Sequence, residues 1–571
     1  MTWLKAHAGT VAIVALGIAW GTVMHTMGWA QLAHFAEVRA LANGEKTIDR
    51  WHWETGDVAW IDGHYYSVKS PGMAALTMPL YELIDVAGGR ELSAEAGANA
   101  ARADDPRWVP NDGAPYASYG YDPIRAQRVQ ERVEDETAVV WALTLLAAVA
   151  PSILLLFLVR WAADRVEPGY GTAAAITLGV ATIVFIFAAE FFSHAISATL
   201  GFAAFCVLMR ERAGPMRSAA VALAGLLAGL AVAFEFQAGL VGVVLFGYAI
   251  ARSGWLKRAV AYGAGALAGA LPALAFNWWT LGSPFKLAYS HAVATVGVTG
   301  HSTLGLNSDG FFGITAPRLE AARDLLFAGR GLLVLTPVLV MAVVGVFLMH
   351  RRGHRAEAWT VAAVALAYFL YNSGYWQPYG GGTPGPRFLI PCLPFLALGL
   401  ATAYRRLPAT TLALAVPSAI WMLIASITYP LVGEQGSNLW VDWLRDGQLE
   451  HTLLTVLGVR SNWLALLPVL LAVGVAITYA VLATPRALVD RLDLRLAIAS
   501  IGGWLVVSSF GPTLAENPVT PIDGGSISFT VIGLGAVAGL AAVAAFRYRS
   551  ARPERPVRPA IGELALGDRT S

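Results

Sequence analysis

Apolar runs of about twenty residues, recurring at about fourteen places along one chain, leave few folds open, because each is long enough to cross about 30 Å of hydrocarbon. They centre near Leu16, Ala148, Thr182, Phe202, Leu226, Val243, Leu267, Val340, Ala365, Phe395, Ala415, Ala472, Leu505 and Leu534. Composition agrees: 56% of the 571 residues are hydrophobic and only 14% are charged, too little charge to keep a soluble chain of this size dispersed. The expectation is an all-α polytopic membrane protein. Lys5 precedes the apolar run Gly9 to Ala30 with no small-x-small cleavage site after it, so this run reads as an uncleaved first span. Cys206 and Cys392 both lie within apolar runs and predict no disulfide framework.

A net charge of +2 identifies no partner, but the placement of charge is informative. Basic residues cluster at Arg160/Arg165, Arg210/Arg212/Arg217, Arg252/Lys257/Arg258, Arg351/Arg352/Arg355, Arg405/Arg406, Arg486/Arg491/Arg495 and Arg547/Arg549/Arg552. These clusters fall at every second connection, and positively charged loops stay in the cytoplasm. Both termini are therefore expected inside. The long alternate connections, 31–136, 281–330, 371–387 and 429–462, are expected on the extracytoplasmic face. Gly72 to Val86 is short for a span, and crossing there would turn every later basic cluster outward, so it is expected to lie in the interface. Residues 88–136 form a hydrophilic insert. Its Asp104, Asp105 and Asp112 lack EF-hand spacing and read as solvated acids, and the Arg/Pro-rich residues 547–571 read as a disordered tail. No sequence repeat, phosphate-cradling glycine loop, zinc spacing or nucleic-acid module is present.

Chemistry concentrates in the stretch Thr47 to Tyr81, which holds Asp49, Glu54, Asp57, Asp62, His52, His64, Trp51, Trp53, Trp60, Tyr65, Tyr66 and Lys69 ahead of a Pro71-Gly72 break. An acid just outside a membrane among aromatics suits a general base for an acceptor hydroxyl, against the ordinary reading of a solvated loop acid. Asp57, in the turn Thr55-Gly56-Asp57, is the first candidate and Asp49 the second. Lys69 stands where a helix begins and suits an anion there, or else snorkels to the interface. Arg387 follows the loop Gly380-Gly381-Gly382-Thr383-Pro384-Gly385-Pro386, and Arg330 precedes Gly331-Leu332. Both arginines break the charge pattern by standing on the outer face, where a phosphate would give them a partner. Asn277 with Gly282-Ser283-Pro284 and Tyr289 is a further mark, as is Ser193-His194; His194 alone would more often be a satisfied buried histidine. Glu235 and Gln237 sit between two short spans, and an acid at membrane depth is usually functional, unless Glu235 lies at the outer surface.

In their order along the chain, the segment Asp62-Gly63-His64-Tyr65-Tyr66-Ser67-Val68-Lys69-Ser70-Pro71-Gly72, then Asn277, Gly282-Ser283-Pro284 and Tyr289, then Arg330-Gly331-Leu332, then Gly385-Pro386-Arg387-Phe388-Leu389-Ile390-Pro391 resemble the GT-C superfamily of membrane glycosyltransferases. The bacterial members it is similar to are the protein O-mannosyltransferases and the lipid A aminoarabinose transferase. The resemblance spans about Gln31 to Tyr404 and implies a GT-C-like core over 1–404, leaving the insert and the helices of 405–546 outside it. It implies transfer of a sugar from a polyprenyl-phosphate carrier to a protein, lipid or glycan acceptor at the outer face of a bacterial plasma membrane, with no nucleic-acid partner. Lys69-Ser70-Pro71 matches the family's Lys-Pro-Pro motif, with Ser70 in place of the first proline, and its lysine would contact the carrier phosphate.

Where many members carry an acid pair after the first span, this chain has Trp29-Ala30-Gln31-Leu32, with a single acid, Glu37, further on. That departure favours Asp57 as the base. Lys69, Arg387 and Arg330 would hold the donor phosphate, and His64, Tyr66, Tyr289 and His194 the substrates, with Trp51, Trp53 and Trp60 as further stacking faces. The mechanism requires no metal, though the acid-rich loop leaves a divalent cation open. The alternative is a transporter or flippase of a lipid-linked sugar, which would favour an inverted repeat and a midplane site.

Overall fold

The computed structural model describes residues 7–25, 27–101, 135–292, 313–431, 437–514 and 524–550. Most of the insert, residues 293–312 of the second loop and the tail beyond 550 lie outside them, so the acids Asp104, Asp105 and Asp112 are not placed. Helices dominate, as expected of a polytopic membrane chain whose backbone must bond within its own segments. Among the described residues, six helices are long and apolar enough to span a bilayer: Asp135–Val166, Trp255–Leu281, Arg387–Arg406, Pro408–Ile427, Asn462–Ala483 and Arg491–Pro512. Leu319–Leu335 and Val338–Arg351 form a further pair bent by 87°. Shorter apolar helices such as Ala8–Thr22, Gly171–Val180 and Ser218–Phe234 lie among them. Helices cover every apolar centre read from the sequence except Thr182, which sits in a break between Gly171–Val180 and Val184–Phe187.

A small-residue seam lets two helices pack backbone against backbone. Gly225 and Gly229 of the Ser218–Phe234 helix face Gly265 and Gly269 of Trp255–Leu281, and a Cβ at any of the four would strike the other helix's main chain. This four-residue spacing of small residues on both partners is how helices gain contact in lipid, where no hydrophobic force separates them from their surroundings. The seam fixes the helix that carries Asn277 beside the one that ends at Glu235.

The connections sort into two ends. At one, the arginine clusters meet their counter-charges: Glu167 pairs with Arg352 and with Arg405 at 3.1 Å, and Arg258 forks onto Glu211 at 2.8 and 2.9 Å. Arg212 and Arg252 cap the carbonyls of Tyr248 and Arg212 nearby, both at 2.7 Å. At the other end the long loops gather. Gln31 reaches Glu190 at 2.7 Å, His25 reaches Glu450 at 3.1 Å, Tyr368 reaches the carbonyl of Gln237 at 3.0 Å, and Thr315 bonds the carbonyl of Gly374 at 2.9 Å.

Two small antiparallel ribbons stand at this end. Strand β1 (Val23–Met24) pairs with β4 (His451–Thr452), tying the C-terminal helices to the first loop. Strands β2 (Val58–Ile61) and β3 (His64–Ser67) form a hairpin in the register Val58 to Ser67, Ala59 to Tyr66, Trp60 to Tyr65 and Ile61 to His64. Its two-residue turn is Asp62-Gly63, with φ of 51° and 87°, the left-handed pair that matches a hairpin's twist and that Asp-Gly supplies at low cost. Gly72–Val86 is a helix, with Leu83 and Val86 exposed at its far end, and its glycine packs against the carbonyl of Ala233.

Candidate functional site

The hairpin's register sets the first part of the site. With Val58 opposite Ser67, the chain just outside the ribbon places Asp57 beside Val68, whose N–H reaches the Asp57 carbonyl at 3.4 Å. Lys69 then turns inward, and its Nζ lies 2.5 Å from Asp57 Oδ2, with the two side chains 19% and 10% exposed. The Thr55 hydroxyl fixes the approach to Asp57 by accepting from the Asp57 N–H at 3.0 Å while donating to the Trp29 carbonyl at 2.7 Å. Two ends of one loop therefore close into a single ion pair at the open end of a hairpin.

Arg387 arrives from more than 300 residues away. Gly380, Gly381 and Gly385 take φ of 76°, 120° and 122°, and the loop they form places the Arg387 N–H 3.2 Å from the Tyr379 carbonyl. The guanidinium lies over the rings of Phe192 and Phe388, at 5.0 and 5.2 Å, and its Nε has no hydrogen-bond partner among the described residues. Asp57 and Glu235 are the carboxylates whose field acts on it, with Tyr375 and Tyr289 beside them. Tyr289 and Tyr375 share a hydroxyl contact, and Trp376 Nε1 donates to Tyr289 at 3.3 Å.

Facing this group is a second carboxylate. Glu235 receives Ser193 Oγ and, at 2.7 Å, Gln237 Nε2, and lies 3.0 Å from His194 Nδ1. Burial works against its charge, but the His194 imidazole and these hydrogen bonds outweigh it and hold the carboxyl down at about 2. His34, from the Trp29–Ala42 helix, completes the ring. Burial and then Lys69 keep its imidazole neutral, at about 3, against the opposing pull of Glu235 and Asp57. Asp57, Lys69, His34, His194, Glu235, Arg387 and Tyr289 thus gather in one largely buried polar cluster, with two carboxylates and two cations.

The other sequence candidates stand apart from that cluster. Asp49 takes the Tyr65 N–H at 2.6 Å, His64 at 2.8 Å and the Thr47 hydroxyl at 2.9 Å. Burial opposes its charge, but those hydrogen bonds prevail and hold its carboxyl below the usual range. It pins the hairpin, and His64 is engaged with it at a half-exposed surface. Arg330 donates to the carbonyls of Gly381 and Thr383, both at 3.1 Å, and lies over the Tyr379 ring at 4.5 Å, so its visible task is to hold the glycine loop. Trp51 is buried beneath Arg39 and Arg50, at 5.2 and 5.1 Å, and offers no free face. Trp53 bonds the Arg50 carbonyl and Trp60 is 45% exposed.

Of the aromatic candidates in the first loop, Tyr66 lines a cleft. That cleft, about 450 Å³ counted to its open mouth, adjoins Lys69 and is walled by Glu37, Ser67, Phe236, Phe276, Asn277 and Thr280. Among the described residues, no group of three or more His, Cys, Asp or Glu side chains is arranged to hold a metal ion.

His34, Glu37 and Tyr375 went unread as site residues in the sequence, and Glu235 was marked only as an acid near the membrane. The sequence signal for Glu235 lies in two marked segments, Ser193-His194 and Glu235 to Gln237, which form one network in the structure.

No known family model matches the chain, and no curated protein matches it in sequence. Two crystal structures of ArnT from Cupriavidus metallidurans resemble it in overall trace. The one bound to undecaprenyl phosphate is 13% identical with a TM-score of 0.46, over 90% of this chain and 76% of that one. The apo form is also 13% identical, with a TM-score of 0.47 over 90% and 77%.

Proposed function

We propose that this protein is a membrane glycosyltransferase that moves a monosaccharide from a polyprenyl-phosphate carrier to a hydroxyl acceptor on the extracytoplasmic side of a bacterial plasma membrane. The observation that carries the reading is the convergence of Asp57, Lys69 and Arg387 in one largely buried cluster at the end of the bundle away from the arginine clusters. Asp57 takes the proton from the acceptor hydroxyl as its oxygen attacks the anomeric carbon. The bond from that carbon to the phosphate oxygen breaks, and the electron pair leaves with the polyprenyl phosphate. Arg387 neutralises the departing phosphate with Lys69 beside it, and a bidentate arginine is the group best shaped for that task. Tyr289 and His194 flank the path of the sugar.

A single displacement inverts the anomeric centre. A retaining, covalent route needs a second carboxylate as nucleophile. Glu235 is the other carboxylate acting on Arg387, and the hydrogen bonds it accepts from Ser193 and Gln237 make it a weaker nucleophile, which favours inversion. A transporter is disfavoured because the polar groups gather at one end of the bundle, where a midplane site would be expected of a carrier.

The test is transfer itself. Full-length protein in lipid nanodiscs is given radiolabelled polyprenyl-phosphate sugars and membrane acceptors, and label is followed onto acceptor. Carrier-bound label crossing the bilayer in proteoliposomes, with no transfer, would assign the transporter instead.

A further inference from the structure

One group in the cleft beside Lys69 is used by nothing described above. Glu37 stands on the Trp29–Ala42 helix, which is not among the spanning helices, and is 6% exposed. It lines the cleft, and its Oε2 is buried with no hydrogen-bond partner among the described residues. A buried polar atom without a partner costs about 1–3 kcal/mol, so it is retained where something arrives to satisfy it.

The walls indicate what arrives. Tyr66, Phe236 and Phe276 supply flat apolar faces, while Asn277, Thr280 and Ser67 supply polar edges. The charges at the cleft largely cancel. Lys69 is paired with Asp57, and Glu45 with Arg50 at 3.2 Å, leaving Lys46 exposed at the mouth. Tyr66 is the remaining titratable group on the wall. A cleft that offers aromatic faces and hydrogen-bonding edges, with the one charge left over, Lys46, out at its mouth, matches a ring dense in hydroxyls.

We infer that this cleft is a sugar-binding subsite in which the Glu37 carboxyl hydrogen-bonds a ring hydroxyl. The inference rests on the glycosyltransferase reading for its place in a reaction but not for its binding chemistry. The ring belongs either to the sugar on the carrier lipid or to a glycan acceptor. Burial raises the Glu37 carboxyl to about 8, so it stays protonated through neutral pH. A carboxylate there would accept but no longer donate.

The experiment uses full-length protein in nanodiscs and saturation-transfer NMR with methyl glycosides of neutral hexoses. The corresponding methyl uronate and aminohexoside are the charged controls. Expected is binding of one or more neutral glycosides over both charged controls, falling about tenfold as pH rises through about 8. Glu37→Gln keeps a donor without a charge, and should bind with no such pH dependence. Glu37→Leu should lose about tenfold or more at every pH. Equal binding by wild type and Glu37→Leu, a flat wild-type profile, or preference for a charged control would overturn the subsite. Transfer kinetics then separate the sources: a raised donor KM in Glu37→Leu places the carrier's sugar in the cleft, and a raised acceptor KM places an acceptor glycan there. Glycoside binding with the stated pH profile but no transfer activity would sink the transferase and leave the subsite standing.

Discussion

Lys69 and Asp57 close the mouth of the β2–β3 hairpin as an ion pair, with Nζ 2.5 Å from Oδ2. The pair makes the same lysine serve two partners, the base that stays and the phosphate that leaves. Asp57→Asn keeps the shape of the side chain and removes the proton acceptor. Transfer should fall by about 10²- to 10⁴-fold, the range that a positioned general base contributes, while donor binding is retained. Single-turnover rates with radiolabelled donor measure it, and full transfer by Asp57→Asn would remove the residue as base.

Because both partners are largely buried, the pair should also show in stability. Removing one partner strands the other's charge and costs about 3–5 kcal/mol, whereas replacing both by neutral groups avoids that penalty. Asp57→Asn and Lys69→Met should each lower the melting temperature in detergent, and the double variant should be more stable than the sum of the two losses. Strict additivity in this cycle would mean the groups do not interact in the folded protein.

Arg330 and Arg387 looked alike in the sequence, as outer-face arginines beside glycines, yet the structure gives them different surroundings. Arg330→Ala removes bonds to the Gly381 and Thr383 carbonyls and should loosen the loop that aims Arg387. The expected result is a fall of about tenfold in kcat with donor KM little changed, together with faster backbone hydrogen exchange at residues 380–386. Arg330→Lys should rescue little, since an ammonium lacks the planar fork. Arg387→Lys should instead raise donor KM by about 10- to 100-fold, as expected for a lost hydrogen bond to a charged phosphate. A donor KM effect in Arg330→Ala as large as in Arg387→Lys would place both arginines on the phosphate.

That contrast shows where the sequence stopped informing. Run length and hydropathy place a helix at every apolar centre but Thr182, although only six of the described helices are long enough to cross lipid, with one bent pair beside them. The hairpin was also written locally, in Asp62-Gly63 between aromatic and β-branched residues, and reading it would have brought Asp57 to Lys69 through its register. Glu235 is different. Its partners His194 and Ser193 lie about forty residues back, and only packing of the His194–Arg212 helix against Ser218–Phe234 and the Arg387–Cys392 turn brings them together. Glu37 is a lone acid on an apolar helix, and its surroundings in sequence carry no local sign of the cleft opposite.

Orientation has a direct check in cysteine chemistry. Cys206 and Cys392 are buried and unpaired, so the wild-type chain should give little background with a membrane-impermeant maleimide. Val86 is 88% exposed on the site end and Arg355 is exposed among the arginine clusters. Val86→Cys should label on intact cells, and Arg355→Cys only after permeabilisation. The reverse pattern would place the cluster in the cytoplasm and exclude a donor presented on the outer leaflet.

Glu37 also makes stability depend on pH in a direction opposite to that of an ordinary salt-bridged acid. Its folded-state carboxyl is raised to about 8 by burial, well above an unfolded glutamate near 4.3. The folded form therefore binds a proton that the unfolded chain has already released at neutral pH. The stabilisation is complete below about pH 4 and is lost progressively as pH rises toward 8, a change on the order of a few kcal/mol at most. Asp49 has the opposite sign: its hydrogen bonds hold it below the usual range, so its contribution is present at neutral pH and disappears only in acid, below the pH at which an ordinary aspartate protonates. Melting temperatures measured from pH 5 to pH 9 should thus decline for wild type, while Glu37→Gln, which has no proton to lose, should hold a flatter profile and be the more stable protein at pH 9. Parallel profiles for the two would show that Glu37 is ionised in the folded state, and with it the hydrogen-bond donor proposed for the cleft would be gone.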